Sequence, residues 1–249
     1  MPAYNEAENL RAGVLARVCE FLATLGPSFE VIVVDDGSAD DTAALVRSAA
    51  ALEPRLRLLA SHHGGKAHAV VNGMLAATGR IVLSSDVDQA IPIGEVAKLL
   101  PWFERGFDVV IGSRGLERRH ARLSRRVISY GQLLARKIVL GFGDIVDTQC
   151  GFKAFRREIV ERLFDGLVVH AGAREARADG SRLTPGFEVE LLYVARRIGL
   201  RLKEVAIDVD HRRGRQTNPF LDCLDGFSDL LAIRAAARAG RYDASKPRA

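Results

Sequence analysis

Short apolar runs that each end in an acidic or glycine-containing turn set the strongest limit on how this chain can fold. Phe29 to Val34 is apolar apart from Glu30 and runs into Asp35-Asp36-Gly37-Ser38. Strands covered on both faces look like this in parallel sheets. A helix over about Asp41 to Leu52, a strand over Leu56 to Ala60, a helix over Ala67 to Thr78 and a strand over Ile81 to Leu83 are expected to follow. This alternation predicts βαβ units and a doubly wound, mostly parallel sheet flanked by helices. In such a sheet, ligands bind beyond the carboxyl ends of the strands.

Ahead of the first run, Asn5 is a candidate helix cap with Glu8 three residues on, as in a capping box. Leu10, Val14, Val18, Phe21 and Leu25 then mark one face of a single helix stopped by Gly26-Pro27. The second half is less regular. Val109 to Ile111 is expected as a strand, and Ser124 to Leu140 and Glu188 to Ile198 as helices. Val205, Ile207 and Val209 read as a half-buried strand, and His170 to Pro185 as an aperiodic loop. Phe220, Leu224, Phe227 and Leu231 form an apolar stripe near the end.

Of the 249 residues 48% are hydrophobic, enough for a sizeable core, which excludes a disordered or collagen-like chain. Lys+Arg 36 against Asp+Glu 31 leaves a formal charge of +5, with too many acids for a polycationic tail. Cys19, Cys150 and Cys223 are far apart, which excludes a disulfide framework or a CxxC zinc site and points to a reducing compartment. With no apolar run near the roughly 18 residues of a membrane span and no signal-peptide pattern, a cytoplasmic protein is expected.

Three strand ends carry candidate chemistry. Asp35 and Asp36 suit ribose hydroxyls or the N–H edge of a base, and equally suit an ordinary turn with capping acids. Asp86 and Asp88 flank Val87, so on an extended segment both carboxylates share a face. They are hard oxygen ligands for Mg²⁺ or Mn²⁺ with a diphosphate completing the shell, or else two solvated acids. Ile91 and Ala97 exclude an EF-hand. Gly64-Gly65-Lys66 is not a P-loop, because Ala60 replaces its first Gly and Ala67 its Ser/Thr. With GxGxxG also absent, nicotinamide and P-loop ATP chemistry drop out. His62, His63 and His68 lack a local acid or Cys partner and read as incidental loop histidines. Arg114, Arg118, Arg119, Arg122, Arg125 and Arg126 could bind phosphates, face an anionic membrane or form a solvated helix face. Without interleaved aromatics or a binding motif, no nucleic-acid partner is expected.

In this order the motifs resemble a family 2 glycosyltransferase of the GT-A fold. Pro2-Ala3-Tyr4-Asn5-Glu6 matches the opening motif and Val34-Asp35-Asp36-Gly37-Ser38 the nucleotide-binding turn. Gly65-Lys66, Asp86-Val87-Asp88 and Gly112-Ser113-Arg114 follow. Asp147-Thr148-Gln149-Cys150-Gly151-Phe152-Lys153 and Phe187-Glu188-Val189-Glu190-Leu191-Leu192 resemble the dolichyl-phosphate glucosyltransferase branch and its prokaryotic polyprenyl-phosphate relatives.

The resemblance implies that Pro2, Ala3, Tyr4, Glu6 and Asp36 contact the nucleoside, with Lys66 nearby, and that Asp86 and Asp88 hold the diphosphate through Mg²⁺ or Mn²⁺. Arg114 and one of Arg125 or Arg126 would meet phosphate groups, and Asp147 and Gln149 would line the sugar and acceptor side. Asp88, Asp147, Glu188 and Arg114 are the candidate catalytic residues. The family's apolar strand ahead of Pro2 is not in this chain, so the sheet is expected to lack its first strand. Residues 1–216 would form the transferase domain, and 217–249 an amphipathic helix and tail able to touch the cytoplasmic face of a membrane. The implied reaction moves a sugar, with inversion, from a nucleotide sugar (UDP-glucose favoured) to a polyprenyl or dolichyl phosphate. GDP-mannose as donor, or a sugar hydroxyl as acceptor, is the rival within enzymes. A non-catalytic nucleotide-sugar-binding protein is the rival outside them.

Overall fold

The computed structural model describes residues 1–26, 28–114, 141, 145–174, 186–210 and 219–243, with side chains in the last segment from Ser228 onward. Its strands form two hydrogen-bonded sheets. In the first, β1 (Pro2–Ala3), β2 (Val31–Asp36) and β3 (Leu56–Ser61) are parallel, in the order β1-β2-β3. In the second, β4 (Ile81–Ser84), β5 (Val109–Ser113), β6 (Lys153–Arg156) and β7 (Leu202–Ala206) lie in the order β4-β6-β5-β7. There β7 is parallel to β5, and β6 antiparallel to both neighbours. All six residues of β2 are buried, as a strand covered on both faces requires. A first strand is present, reduced to two residues: Met1 donates its amino N–H to Ile32 O (2.8 Å) and accepts from Val34 N–H (2.9 Å).

Register explains why the chemistry collects at one edge. Ala3 pairs with Asp35 and Asp36 with Ser61, so β1, β2 and β3 all end there. Because β6 runs the other way, its entry rather than its exit reaches the same edge, with Lys153 opposite both Ser84 and Ile111. The antiparallel strand thereby delivers residues 147 to 153 to the site. Its four residues are too short and too enclosed to show a period of two, and the sequence pattern missed both it and the helix that follows.

The helices are α1 (Ala7–Arg11), α2 (Val14–Thr24), α3 (Thr42–Leu52), α4 (Lys66–Ala76), α5 (Val96–Leu99), α6 (Pro101–Glu104), α7 (Arg157–Asp165), α8 (Gly186–Arg197) and α9 (Pro219–Arg238). The single helix expected from Leu10 to Leu25 is two, broken at Gly13 (φ 76°), a left-handed conformation that glycine adopts without steric cost. Asn5 (φ 54°) does not cap; its Oδ1 accepts from Ala39 N–H (2.9 Å). Thr42 Oγ1 instead accepts from Glu6 N–H (2.8 Å) and Asp40 Oδ2 from Ala7 N–H (3.1 Å), so the capping oxygens come from over thirty residues away.

The strand expected to reach Val209 ends at Ala206. Ile207 N–H still donates to Ser113 O (3.0 Å), but Asp208 N–H turns to Glu95 Oε2 (3.0 Å) and Asp210 N–H to Ala90 O (2.8 Å). Residues 171–174 form a 3₁₀ turn, and the rest of the expected loop to Pro185, like the expected helix from Ser124 to Leu140, lies outside the described residues.

In α9, Leu230, Ile233 and Ala236 are buried, and Leu230 and Ile233 join the core cluster that holds Leu191 and Leu192 of α8, whereas Leu231 is 51% exposed. The side chains of Phe220, Leu224 and Phe227 lie outside the described residues. Glu190 of α8 fastens this end of the molecule. Its fully buried carboxylate accepts from the N–H groups of Val168, Val169 and His170 (2.7, 2.8 and 2.8 Å) and from Tyr242 Oη (2.6 Å), with His170 Nδ1 at 2.7 Å. Burial alone would raise its pKa; the hydrogen bonds from His170, Tyr242 and the backbone override that and hold it below its ordinary value. Its contribution to stability is therefore complete above that ordinary value and is lost as pH falls through the lower folded one. Glu190→Ala should lower the unfolding free energy by roughly 3–5 kcal/mol in urea titrations. Glu190→Gln should flatten the acid side of the stability profile below about pH 5.

Candidate active site

The site is organised around Asp36, at the end of β2 and 2% exposed. Its Oδ1 accepts from Gly64 N–H (2.8 Å) and its Oδ2 from Gly65 N–H (2.9 Å), which clamps the Gly-Gly-Lys turn to the strand end. His63 Nδ1 lies 2.9 Å from Asp36 Oδ2, and the His63 ring stacks on Tyr4 (centroids 4.4 Å apart, planes 27° apart). His63 is thus packed between Tyr4 and Asp36 rather than being an incidental loop histidine; nothing in its local sequence marks it. Neighbouring Asp35 accepts from Ser38 N–H (3.2 Å) and shapes the turn. Ala3 is buried in β1, and Glu6 Oε2 accepts from Asn9 Nδ2 (2.6 Å).

Beyond β4, buried Val87 pins a turn that leaves Asp86 and Asp88 partly exposed. Gln89 (φ 51°) locks the turn. Its Nε2 donates to Asp86 O (2.7 Å), its Oε1 accepts from Ile93 N–H (2.8 Å), and Asp88 Oδ1 accepts from Ala90 N–H (2.9 Å). Lys66, the first residue of α4, reaches across to Asp86, its Nζ 2.7 Å from Oδ1 and 2.9 Å from Oδ2. Burial would lower the Lys66 pKa, but Asp86, with smaller contributions from Glu188 and Asp88, raises it overall.

A second ion pair lies between β5 and the loop entering β6. Arg114 grips Asp147 with Nε (2.7 Å), Nη2 (2.8 Å) and its backbone N–H (3.1 Å). Burial pushes the Asp147 pKa up, but Arg114 overrides it and holds the carboxyl below its usual range. Glu204 on β7 supports the loop, accepting from Val146 N–H (2.9 Å) and Asp147 N–H (2.8 Å), a role that its distance in sequence concealed. A third pair joins Glu188 of α8 to Lys153, which is 1% exposed and also donates to Cys150 O. Burial, then Asp147, pushes the Cys150 thiol up to about 11, so it stays protonated at neutral pH. Gln149 sits half-buried on the same loop, and Arg125 and Arg126 lie outside the described residues.

The site thus presents a Tyr4–His63 stack and an aspartate at the ends of the first sheet's strands, and a pair of turn carboxylates and an arginine after strands of the second. Residues 1–164 match the Glycosyl transferase family 2 profile. Dolichyl-phosphate beta-glucosyltransferases of Dictyostelium discoideum and Drosophila melanogaster are 32% and 33% identical to this chain, each match covering 94% of it and 72% of the relative. Among solved structures, glucosyl-3-phosphoglycerate synthase from Mycobacterium tuberculosis, crystallised with Mn²⁺, UDP and phosphoglyceric acid, aligns with a TM-score of 0.60. It is 22% identical, over 96% of this chain and 76% of its own. The chain belongs to glycosyltransferase family 2 and is a glycosyltransferase of the GT-A fold.

Asp36→Asn exchanges one acceptor for a donor that cannot receive an N–H. One of the Gly64 and Gly65 N–H groups would lose its acceptor, so the variant should lower the unfolding free energy by about 1–3 kcal/mol in urea titrations.

Proposed function

We propose that the protein transfers glucose from UDP-glucose to a polyprenyl or dolichyl phosphate with inversion at the anomeric carbon, with the help of Mg²⁺ or Mn²⁺. The observation that carries this reading is the near-full-length similarity to two dolichyl-phosphate beta-glucosyltransferases, which includes the segments bearing Asp147 and Glu188. A β-linked product from an α-linked nucleotide sugar requires inversion.

Asp86 and Asp88 are the residues that would hold the metal. Both are hard oxygen donors, and the two oxygens of Asp86 already bracket a cation, the Lys66 ammonium. Among the described residues no group of three or more His, Cys, Asp or Glu side chains could hold a metal, so the remaining ligands would be diphosphate oxygens and water. A divalent ion held there supplies charge neutralisation for the departing nucleoside diphosphate.

The chain's own groups account for the rest. Pro2, Ala3, Tyr4, Glu6 and Asp36 would hold the nucleoside, Lys66 would meet the diphosphate, and Arg114, Arg125, Arg126 and Gln149 would receive the acceptor. Asp147 orients Arg114 by its bidentate grip. A phosphate monoester is mostly dianionic at pH 7 and attacks without a general base. The low pKa of Asp147 and the engagement of Glu188 by Lys153 fit that chemistry, and both acids act as positioning residues here.

Among the described residues no helix is long and apolar enough to cross a membrane. The outer side of α9, with Leu231 and Arg238 exposed, and exposed Arg241 just beyond it would rest on the cytoplasmic membrane surface where a lipid-linked acceptor is presented. Sedimentation with anionic liposomes, reduced in Leu231→Glu, tests this docking.

Radiolabelled UDP-glucose, a polyprenyl phosphate and Mn²⁺ or Mg²⁺ should yield label in the organic phase, and Asp88→Ala should lower turnover at least a hundredfold, on the order of 3 kcal/mol in the barrier. Label from GDP-mannose instead would move the donor assignment. UDP binding with UDP-glucose left intact would make this a non-catalytic nucleotide-sugar-binding protein.

A further inference from the structure

The Lys66–Asp86 contact has a geometry that the catalytic reading does not explain. The ammonium sits between the two carboxylate oxygens, 2.7 and 2.9 Å away, where a cation chelated by that carboxylate would lie. Its backbone is anchored independently, because Asp36 holds the preceding Gly64 and Gly65 N–H groups. Gly151 borders the same space. A Cβ there would stand 3.4 Å from Lys66 Nζ and 3.5 Å from Asp86 Oδ2, so a larger side chain at 151 would crowd the pair. An ammonium and a divalent ion compete for one carboxylate, since both are cations seeking the same oxygens and repel each other at a separation of a few ångströms even where the pair is half exposed. With Lys66 in place, the metal reaches Asp86 only if the side chain leaves. It is 55% exposed and free to swing on its four-carbon stem.

We propose that Lys66 is a resident counter-ion of the metal site: it occupies Asp86 in the nucleotide-free protein, and a nucleoside diphosphate draws it onto its own phosphate oxygens, so that metal and nucleotide bind as a coupled pair. This rests on the reading of Asp86 and Asp88 as the metal carboxylates. Three consequences follow from linkage. Mn²⁺ alone binds weakly, UDP strengthens Mn²⁺ binding, and Mn²⁺ strengthens UDP binding by the same factor. A merely structural ion pair would produce no such coupling through Lys66.

The test titrates Mn²⁺ into the full chain, with and without UDP, and reads the free Mn²⁺ signal by electron paramagnetic resonance. Lys66→Met should bind Mn²⁺ alone roughly tenfold more tightly than the unaltered protein, and its UDP-induced gain should shrink by the same factor, leaving the part that the diphosphate oxygens supply as metal ligands. Lys66→Arg, which keeps the charge, should retain the weak binding and part of the gain, and shows that the effect is not a folding defect. Unchanged or weaker Mn²⁺ binding in Lys66→Met, with the UDP-induced gain intact, overturns the proposal. Asp86→Asn and Asp88→Asn separate this outcome from failure of the metal reading. If either lowers Mn²⁺ affinity in the presence of UDP while Lys66→Met has no effect, only the counter-ion role falls. If neither does, the metal assignment falls with it.

Discussion

The buried carboxylate of Asp36 is the constraint on which the rest of the site depends. It is almost wholly removed from water, yet both oxygens are satisfied, each by one of two consecutive backbone N–H groups. A buried anion without such partners would be costly, so the turn carrying Gly64 and Gly65 has little freedom to leave. That turn sets where α4 begins, and with it the origin of the Lys66 side chain. The Tyr4–His63 stack and the Lys66–Asp86 pair are thereby coupled through one side chain at the end of one strand.

Charge in the site is pre-paired. Lys66 with Asp86, Arg114 with Asp147 and Lys153 with Glu188 place a cation and an anion within contact before any ligand arrives. The pairs differ in solvent exposure, and this sorts them by role. Lys153 is buried, so removing its partner would strand a charge, and that pair is structural in character. Lys66 is half exposed and can exchange partners at small cost. Arg114 is intermediate at 30% side-chain exposure, and its two side-chain bonds to Asp147 hold the guanidinium in one orientation. A ligand rich in phosphate oxygens suits such a site, because it can take over cations already aligned.

How legible the molecule was depended on whether the interactions were local. The buried run of β2, the helices after it and the acidic turns at the strand ends are written in neighbouring residues, and they were readable as a βαβ sheet with polar turns at the strand ends. The failures were non-local. Asn5 looked like a helix cap because Asp and Asn cap locally, but the capping oxygens come from Asp40 and Thr42. The strand through Val205 ended early because Glu95 and Ala90, far away in sequence, captured the N–H groups of Asp208 and Asp210. His63 carried no signal because its significance lies in Tyr4 and Asp36.

By itself the sequence determined the class of fold and the residues able to carry chemistry, since burial periodicity, turn propensity and side-chain type are properties of short segments. Only the tertiary structure decided which charges meet. Asp36 finds Gly64 across 28 residues, Lys66 finds Asp86 across 20 and Asp147 is held by Glu204 across 57, through contacts fixed by strand order and by the reversed direction of β6. Such pairings follow from packing, in which a carboxylate must be matched wherever the sheet happens to bury it, and no local pattern records that match.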